Sequence, residues 1–79
     1  MRRYFFHQIT QAGLVHDPDG TVLPNLDHAR KEAILDARNL MADAIRQGRD
    51  ISHRSMQITD EEGNILLLLS FVDTVTREN

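Results

Sequence analysis

The sequence predicts an α+β domain in which one long helix packs on one face of a mainly antiparallel sheet, in the order β-β-α-β-β. Two observations support this fold class. Residues 26–47 place small and apolar side chains on one helical face, and residues 65–72 form a short uncharged apolar run after a turn signal. Eight residues are too few to cross a bilayer as a helix, which needs about 20. A helix is the alternative for a leucine-rich run, but the short length and the turn signal before it favour a buried strand.

The composition indicates one small domain that has no disulfide bonds to stabilise it. The chain has 79 residues, of which 41% are hydrophobic and 27% are charged, and these fractions are ordinary for a globular protein. We therefore expect a single domain over residues 1–79. The absence of cysteine excludes disulfides and thiolate metal ligands, so association is the usual remaining support for a thin core.

Charge and the N-terminal segment bear on partners and location. The net charge is −3 and the nine Lys and Arg residues are scattered, which disfavours a broad nucleic-acid interface. No long apolar stretch follows the basic pair Arg2-Arg3, so the pattern of a signal peptide is missing. We expect a cytoplasmic protein that has no cofactor and no membrane partner.

Two strands are predicted ahead of the helix. Residues 4–9 are aromatic and β-branched, and residues 14–16 return after a turn at residues 11–13. The segment Asp17-Pro18-Asp19-Gly20 is a strong turn, because proline fixes φ and glycine tolerates positive φ. Residues 21–23 can extend the sheet before the next proline ends it.

The helix is predicted over residues 26–47. Asn25 or Asp27 supplies its cap, and Gly48 ends it. Its apolar residues fall within one arc of about 160° on a helical wheel. They are Leu26, Ala29, Ala33, Ile34, Ala37, Leu40, Met41, Ala44 and Ile45. Leu35 lies opposite this arc and is expected on the surface.

Two further strands and a tail are predicted after the helix. Residues 55–59 alternate between polar and apolar side chains, and the acidic turn 60–63 leads into the apolar run 65–72. Residues 74–79 are polar and are expected to fray.

Four stretches of the chain form a recognisable combination. They are Arg3-Tyr4-Phe5-Phe6-His7, the Asp-x-x-Gly turn before Leu23-Pro24, Ala29-Arg30-x-Glu32-Ala33 and Thr59-Asp60-Glu61-Glu62-Gly63. Together they resemble a family of short bacterial proteins that is catalogued only as a domain of unknown function. The resemblance covers nearly the whole chain and implies a bacterial cytoplasmic setting, but it implies no activity. The hairpin, Pro-containing link and Ala-rich helix are also similar in topology to the HicB-like antitoxin fold.

The four histidines do not predict a metal site. With a loop at residues 11–13, His16 faces Gln8, and His7 points to the opposite side of the sheet. The other two histidines stand at opposite ends of the helix, roughly 30 Å apart. Because ligand spacing is missing, we expect each histidine to have a structural role.

The acidic turns also have a structural interpretation. Asp17, Asp19 and Gly20 resemble the start of a calcium loop, but His28 occupies the position of the terminal Glu. The pair Glu61-Glu62 is more consistent with a solvated turn than with paired catalytic carboxylates. No Ser/His/Asp, phosphate-loop or dinucleotide motif is present. The chain is therefore predicted to be non-enzymatic.

One basic cluster lies at the end of the helix and beyond it. Its members are Arg46, Arg49, His53 and Arg54. The simplest interpretation is a favourable interaction with the negative end of the helix dipole, worth some 0.3–1 kcal/mol per charge. The alternative is contact with an anion or RNA, although Asp50 dilutes the cluster.

The predicted sheet has more apolar surface than one helix covers. A helix about 10–12 Å across covers about half of one face of a four-stranded sheet about 19 Å wide. The last strand is apolar on both faces, with Ile65, Leu67, Leu69 and Phe71 on one and Leu66, Leu68 and Val72 on the other. Monomers seldom expose large apolar patches, so we expect another copy or another protein to cover this surface. The candidate interface residues are Leu66, Leu68, Val72 and Leu35.

The sequence therefore favours a non-enzymatic protein-interaction module that forms homodimers. The alternative is a HicB-like antitoxin or another nucleic-acid-associated regulator, in which the basic cluster contacts RNA or DNA. A third hypothesis is a small enzyme with a site at a dimer interface, which would require a pocket lined by converging polar groups.

Overall fold

The computed structural model describes residues 1–76 and 78. It has the predicted α+β architecture, with one antiparallel sheet of five strands and one long helix. In chain order the elements are β1 (Arg2–Thr10), β2 (Gly13–Val15), β3 (Thr21–Leu23), α1 (Leu26–Arg46), β4 (Ser55–Thr59), β5 (Ile65–Ser70) and a 3-10 helix (Phe71–Thr74). The strand β3 is an addition to the predicted order and lies at the residues 21–23 that the sequence allowed to extend the sheet.

The strand β1 lies inside the sheet and pairs along both of its edges. On one edge it pairs with β4, which in turn pairs with β5. On the other edge it pairs with β2 through residues 8–10 and with β3 through residues 2–4. The short strands β2 and β3 therefore lie end to end along one edge of β1, separated by the turn at residues 17–20.

The carboxylate of Asp17 fills the gap between β2 and β3. It accepts hydrogen bonds from the N–H groups of Phe6 at 3.1 Å, Asp19 at 3.2 Å and Gly20 at 3.1 Å. The side chain thereby satisfies a β1 amide that has no strand partner at this point. Gly20 is required because its φ is +68° and a Cβ there would lie 2.8 Å from the carbonyl oxygen of Tyr4.

The helix α1 packs on one face of the sheet through a row of small residues. Asn25 caps it, since its Oδ1 accepts a hydrogen bond from the N–H of His28 at 3.0 Å. The buried residues of the helix are Ala29, Ala33, Ala37 and Ala44. Their small size lets the helix backbone lie close to the sheet. The largest fully buried side chains of the core are Phe71, Met56 and Ile58.

The last predicted strand ends earlier than expected. β5 stops at Ser70 and not at Val72, because the chain turns into the 3-10 helix, where the Thr74 hydroxyl donates a 2.7 Å hydrogen bond to the Phe71 carbonyl. Thr74 is buried, and its own carbonyl accepts a 2.7 Å hydrogen bond from Nε of Arg38. The prediction of fraying is therefore wrong at Thr74. Two other residues of the predicted frayed tail, at positions 77 and 79, lie outside the described residues.

The β1–β2 hairpin differs from the prediction in its register. Gln8 pairs with Val15, so the loop contains only residues 11–12 and not the predicted three. A shift of one residue reverses the direction of every side chain in a strand. His16, which was predicted to face Gln8, therefore follows β2 on the side of the sheet that carries His7.

Candidate functional site

The sheet has one face that the helix covers and one that it leaves open. Tyr4 and Ile58 point toward α1 and are buried in the core. Because side chains alternate along a strand, Phe5 and His7 point to the opposite side. We call this side the open face. Its apolar members are Phe5, Ile9, Leu14, Val22, Ile65 and Leu68.

The strand β5 contributes the most exposed apolar side chains of the open face. Ile65 is 60% exposed and Leu68 is 58% exposed. Among the described residues β5 pairs with β4 alone, so its other edge has no strand partner. No residue of β5 is charged, and none is proline, although these are the usual means of protecting an edge strand. This outer edge is therefore suited to pairing with another strand.

The position of Leu66 corrects the predicted interface. We expected Leu66 on the surface, but it is partly buried and packs against the core. The register of β4 and β5 shifts between Ile58 and Thr59, and such an irregularity changes the face toward which a residue points. The same shift puts Ile65 on the face of Leu68, whereas the sequence placed these two residues on opposite faces.

The other three candidate interface residues are exposed but do not form one patch. Leu68 lies in β5 on the open face, and Val72 follows in the 3-10 helix. Leu35 lies on α1, where it lines a shallow depression with Ile34 and Arg38. Leu35 therefore belongs to a surface separate from that of Leu68.

His7 and His16 come together on the open face. Their ring centroids are 5.1 Å apart in an edge-to-face arrangement, and Phe5 stacks on His7 at 6.1 Å. Nδ1 of His7 accepts a hydrogen bond from the N–H of Asp17 at 2.9 Å, and Nε2 lies 3.1 Å from the hydroxyl oxygen of Thr59. This cluster was not predicted from the sequence, because its geometry depends on the two-residue hairpin loop. Residues 11–12 carry no Asn-Gly or Asp-Gly signal that would have revealed it.

The pKa values of His7 and Asp17 are both shifted by their surroundings. Burial lowers the pKa of His7, the neighbouring His16 lowers it further, and the charge of Asp17 offsets part of this effect. Burial alone would raise the pKa of Asp17, but the N–H donors of Phe6, Gly20 and Asp19 outweigh it, so the pKa of this carboxyl is lowered. His7 is therefore neutral and Asp17 is ionised.

A cleft of about 390 Å³ lies between α1 and the β1–β2 hairpin. Apolar and polar side chains line it, and its carboxylates are Asp17, Asp36 and Asp43. Burial, followed by the charges of Glu32 and Asp17, raises the pKa of Asp36. The cleft therefore has an acidic wall in which one carboxylate is held in an unfavourable environment.

The members of the predicted basic cluster are largely engaged with their neighbours. Arg46 forms an ion pair at 2.8 Å with an aspartate three residues earlier in α1. Arg49 donates to a nearby glutamine at 2.8 Å, and Arg54 donates to the side chain of Gln8 at 3.2 Å. Arg49, His53 and Arg54 line a depression beside the β1–β2 loop. The structure thus brings three of the four residues together and turns Arg46 toward its own helix.

Two further properties concern ligands and membranes. Within residues 1–76 and 78, no group of three or more His, Cys, Asp or Glu side chains is arranged to hold a metal ion. In the same residues, no helix is both long enough and apolar enough to cross a membrane. The candidate functional features are therefore the open face, the outer edge of β5 and the cluster of Phe5, His7 and His16.

Comparison with known proteins gives a family but no activity. A family model described as a domain of unknown function, DUF6894, matches residues 3–72. No curated protein and no solved structure matches the chain. The matched range begins in β1 and ends in the 3-10 helix, so it includes every strand and the helix. The chain therefore belongs to the DUF6894 family of domains of unknown function.

Proposed function

We propose that this chain is a non-enzymatic protein-interaction module that forms homodimers through the open face and β5. The observation that supports this proposal is the exposure of Ile65 and Leu68 on an uncharged strand that has no partner along its outer edge among the described residues. Complete burial of a large aliphatic side chain is worth roughly 1.5–3 kcal/mol. Contact with a second protein surface would gain part of this free energy at each exposed side chain. A bacterial cytoplasmic setting, expected from the sequence, is part of the same proposal.

Light scattering after size-exclusion chromatography tests the proposal. The wild-type chain should elute as a dimer at micromolar concentration, and Leu68→Lys should be monomeric, because it places a charge on the apolar contact. Ile45→Lys is the matched control, since Ile45 is 63% exposed but lies near the end of α1. A wild-type chain that stays monomeric at every concentration would contradict self-association, and absence of hydrophobic-dye binding would also contradict an exposed apolar contact surface.

The HicB-like or nucleic-acid alternative has less support from the geometry. The side chains of Arg46, Arg49 and Arg54 already bond to neighbouring side chains, so their charges are partly occupied. Salt-sensitive binding of RNA or DNA that Arg49→Ala and Arg54→Ala weaken would favour this alternative.

A further inference from the structure

We propose that a second copy of the chain adds its β5 to the outer edge of this β5. The two strands run antiparallel, with Leu68 of one copy opposite Leu68 of the other. This inference rests on the proposed self-association and names the contact that forms it. The pairing joins the two sheets into one continuous sheet across a two-fold axis.

The outer edge of β5 presents backbone groups at defined positions. The N–H of Phe71 donates a 3.0 Å hydrogen bond to the carbonyl of Arg54, so the amide of Phe71 points toward β4. In an antiparallel strand, the N–H and C=O groups of successive residues alternate between the two edges. Leu69 therefore also bonds toward β4, whereas Leu68 and Ser70 direct their backbone groups outward. No strand among the described residues pairs with them there.

The two outer edges of the sheet differ in their protection. One edge is formed by β2 and β3, which have three residues each, and the turn between them carries Asp17, Pro18 and Asp19. Short strands, proline and charge all hinder pairing with another chain. The other edge is β5, which has six residues with neither proline nor charge. This contrast indicates that the β5 edge is the one that receives a strand.

A second copy fits this edge because β5 is complementary to itself. In two-fold antiparallel pairing the facing pairs are Leu68 with Leu68, Leu67 with Leu69, and Leu66 with Ser70. Every pair is uncharged, so no like charges are opposed, which would weaken the pairing. The outward backbone groups of the two Leu68 residues face each other and can exchange hydrogen bonds. The exposed Leu68 side chains also meet on the open face, which buries them.

Cysteine cross-linking tests this register, because the chain has no cysteine of its own. Hydrogen-bonded antiparallel partners have Cα atoms about 5.5 Å apart, which lies within the range that a disulfide spans. Under mild oxidation, Leu68→Cys should give a covalent dimer in most of the protein. Leu14→Cys, on the open face at the opposite edge, and Ile45→Cys, on the helix, should stay uncross-linked.

A proline substitution tests the role of the backbone separately. Leu68→Pro removes an N–H that points away from β4, so the monomer should keep its circular dichroism spectrum and cooperative unfolding. Its dimer should be weaker by about tenfold or more, because it loses hydrogen bonds across the axis. Leu68→Val keeps the N–H and should dimerise like the wild type.

The outcomes separate this inference from the proposed function. A wild-type dimer in which Leu14→Cys cross-links and Leu68→Cys does not would overturn the edge pairing and leave self-association standing. A dimer that Leu68→Pro leaves as stable as the wild-type dimer would also overturn the edge pairing and leave self-association standing. A wild-type chain that is monomeric at every concentration would overturn both. Pairing of β5 with a strand of a different protein, without self-association, would also overturn the two-fold contact.

Discussion

The backbone N–H of Asp17 donates a hydrogen bond to Nδ1 of His7 at 2.9 Å, and this contact fixes the tautomer of a buried ring. Because Nδ1 accepts, Nε2 carries the proton of the neutral ring and donates a hydrogen bond to the hydroxyl oxygen of Thr59, 3.1 Å away. The imidazole thereby connects β1 to β4 and to the turn that follows β2. A proton added at Nδ1 would face the N–H of Asp17 and break this connection.

The folded state should therefore lose stability as the pH falls below about 6.5, the ordinary pKa of histidine. Burial, together with His16, lowers the pKa of folded His7, so the unfolded chain takes up this proton first. The stability associated with neutral His7 is complete above the ordinary value, decreases below it, and levels off below the lowered pKa. Melting temperatures measured from neutral to mildly acidic pH check this expectation. His7→Gln should flatten the curve in this window, and an unchanged slope would contradict the assignment.

Removal of the Asp17 carboxylate should destabilise the fold by about 2–3 kcal/mol, because a partly buried β1 amide and two turn amides lose a charged acceptor. Chemical denaturation of Asp17→Ala measures the loss. Asp19→Ala, in the same turn but exposed, is the control and should change stability by no more than about 0.5 kcal/mol. Equal effects of the two substitutions would show that the turn does not depend on this carboxylate.

Gly20→Ala should be more harmful than Gly48→Ala. Both glycines have positive φ, +68° and +77°, but a Cβ at Gly20 would lie 2.8 Å from the carbonyl oxygen of Tyr4, whereas a Cβ at Gly48 meets nothing within 4 Å. We expect a loss of about 1 kcal/mol at Gly48 and more than about 2 kcal/mol at Gly20. Urea unfolding of the two variants compares them directly. Equal losses would mean that the turn shifts freely away from β1.

Asp36→Asn should raise the melting temperature at neutral pH. Burial, with Glu32 and Asp17 nearby, raises the pKa of this carboxyl, so its ionised form is disfavoured in the folded state. The pKa shift of Asp36 is opposite in direction to that of Asp17. The contribution of Asp36 to the free energy of unfolding is therefore favourable at low pH and is lost as the pH rises through the raised pKa. The gain from the amide should therefore vanish in acid. Asp43→Asn, which breaks the pair with Arg46, should give no such gain.

The sequence was sufficient to predict the elements whose signals are local. The alanines at 29, 33 and 37 and the cap at Asn25 indicated the helix, which ends at Arg46, one residue before the predicted limit. The uncharged run after Gly63 indicated β5, which is a strand as predicted. Periodicity, capping and turn chemistry are properties of neighbouring residues, so they can be read without the rest of the fold.

The features that the sequence did not reveal depend on pairing between distant residues. The loop at residues 11–12 has no Asn-Gly or Asp-Gly signature, so the hairpin register, and with it the meeting of His7 and His16, was missed. The strand β3 occupies residues 21–23, which the sequence allowed to extend the sheet, but its pairing with β1 beside the hydrogen bonds of Asp17 was not predicted. The shift between Ile58 and Thr59 likewise arises only when β4 and β5 pair, and it moved Leu66 into the core.

Hydrogen exchange at the amide of Leu68, followed over a range of protein concentration, tests the role of the β5 edge most directly. The amide of Leu69 bonds toward β4 and is an internal reference that should stay protected at every concentration. If two copies pair through β5, the amide of Leu68 should exchange rapidly in dilute protein and become protected as the concentration rises. Rapid exchange at Leu68 in a sample that is fully dimeric by sedimentation would contradict the edge pairing.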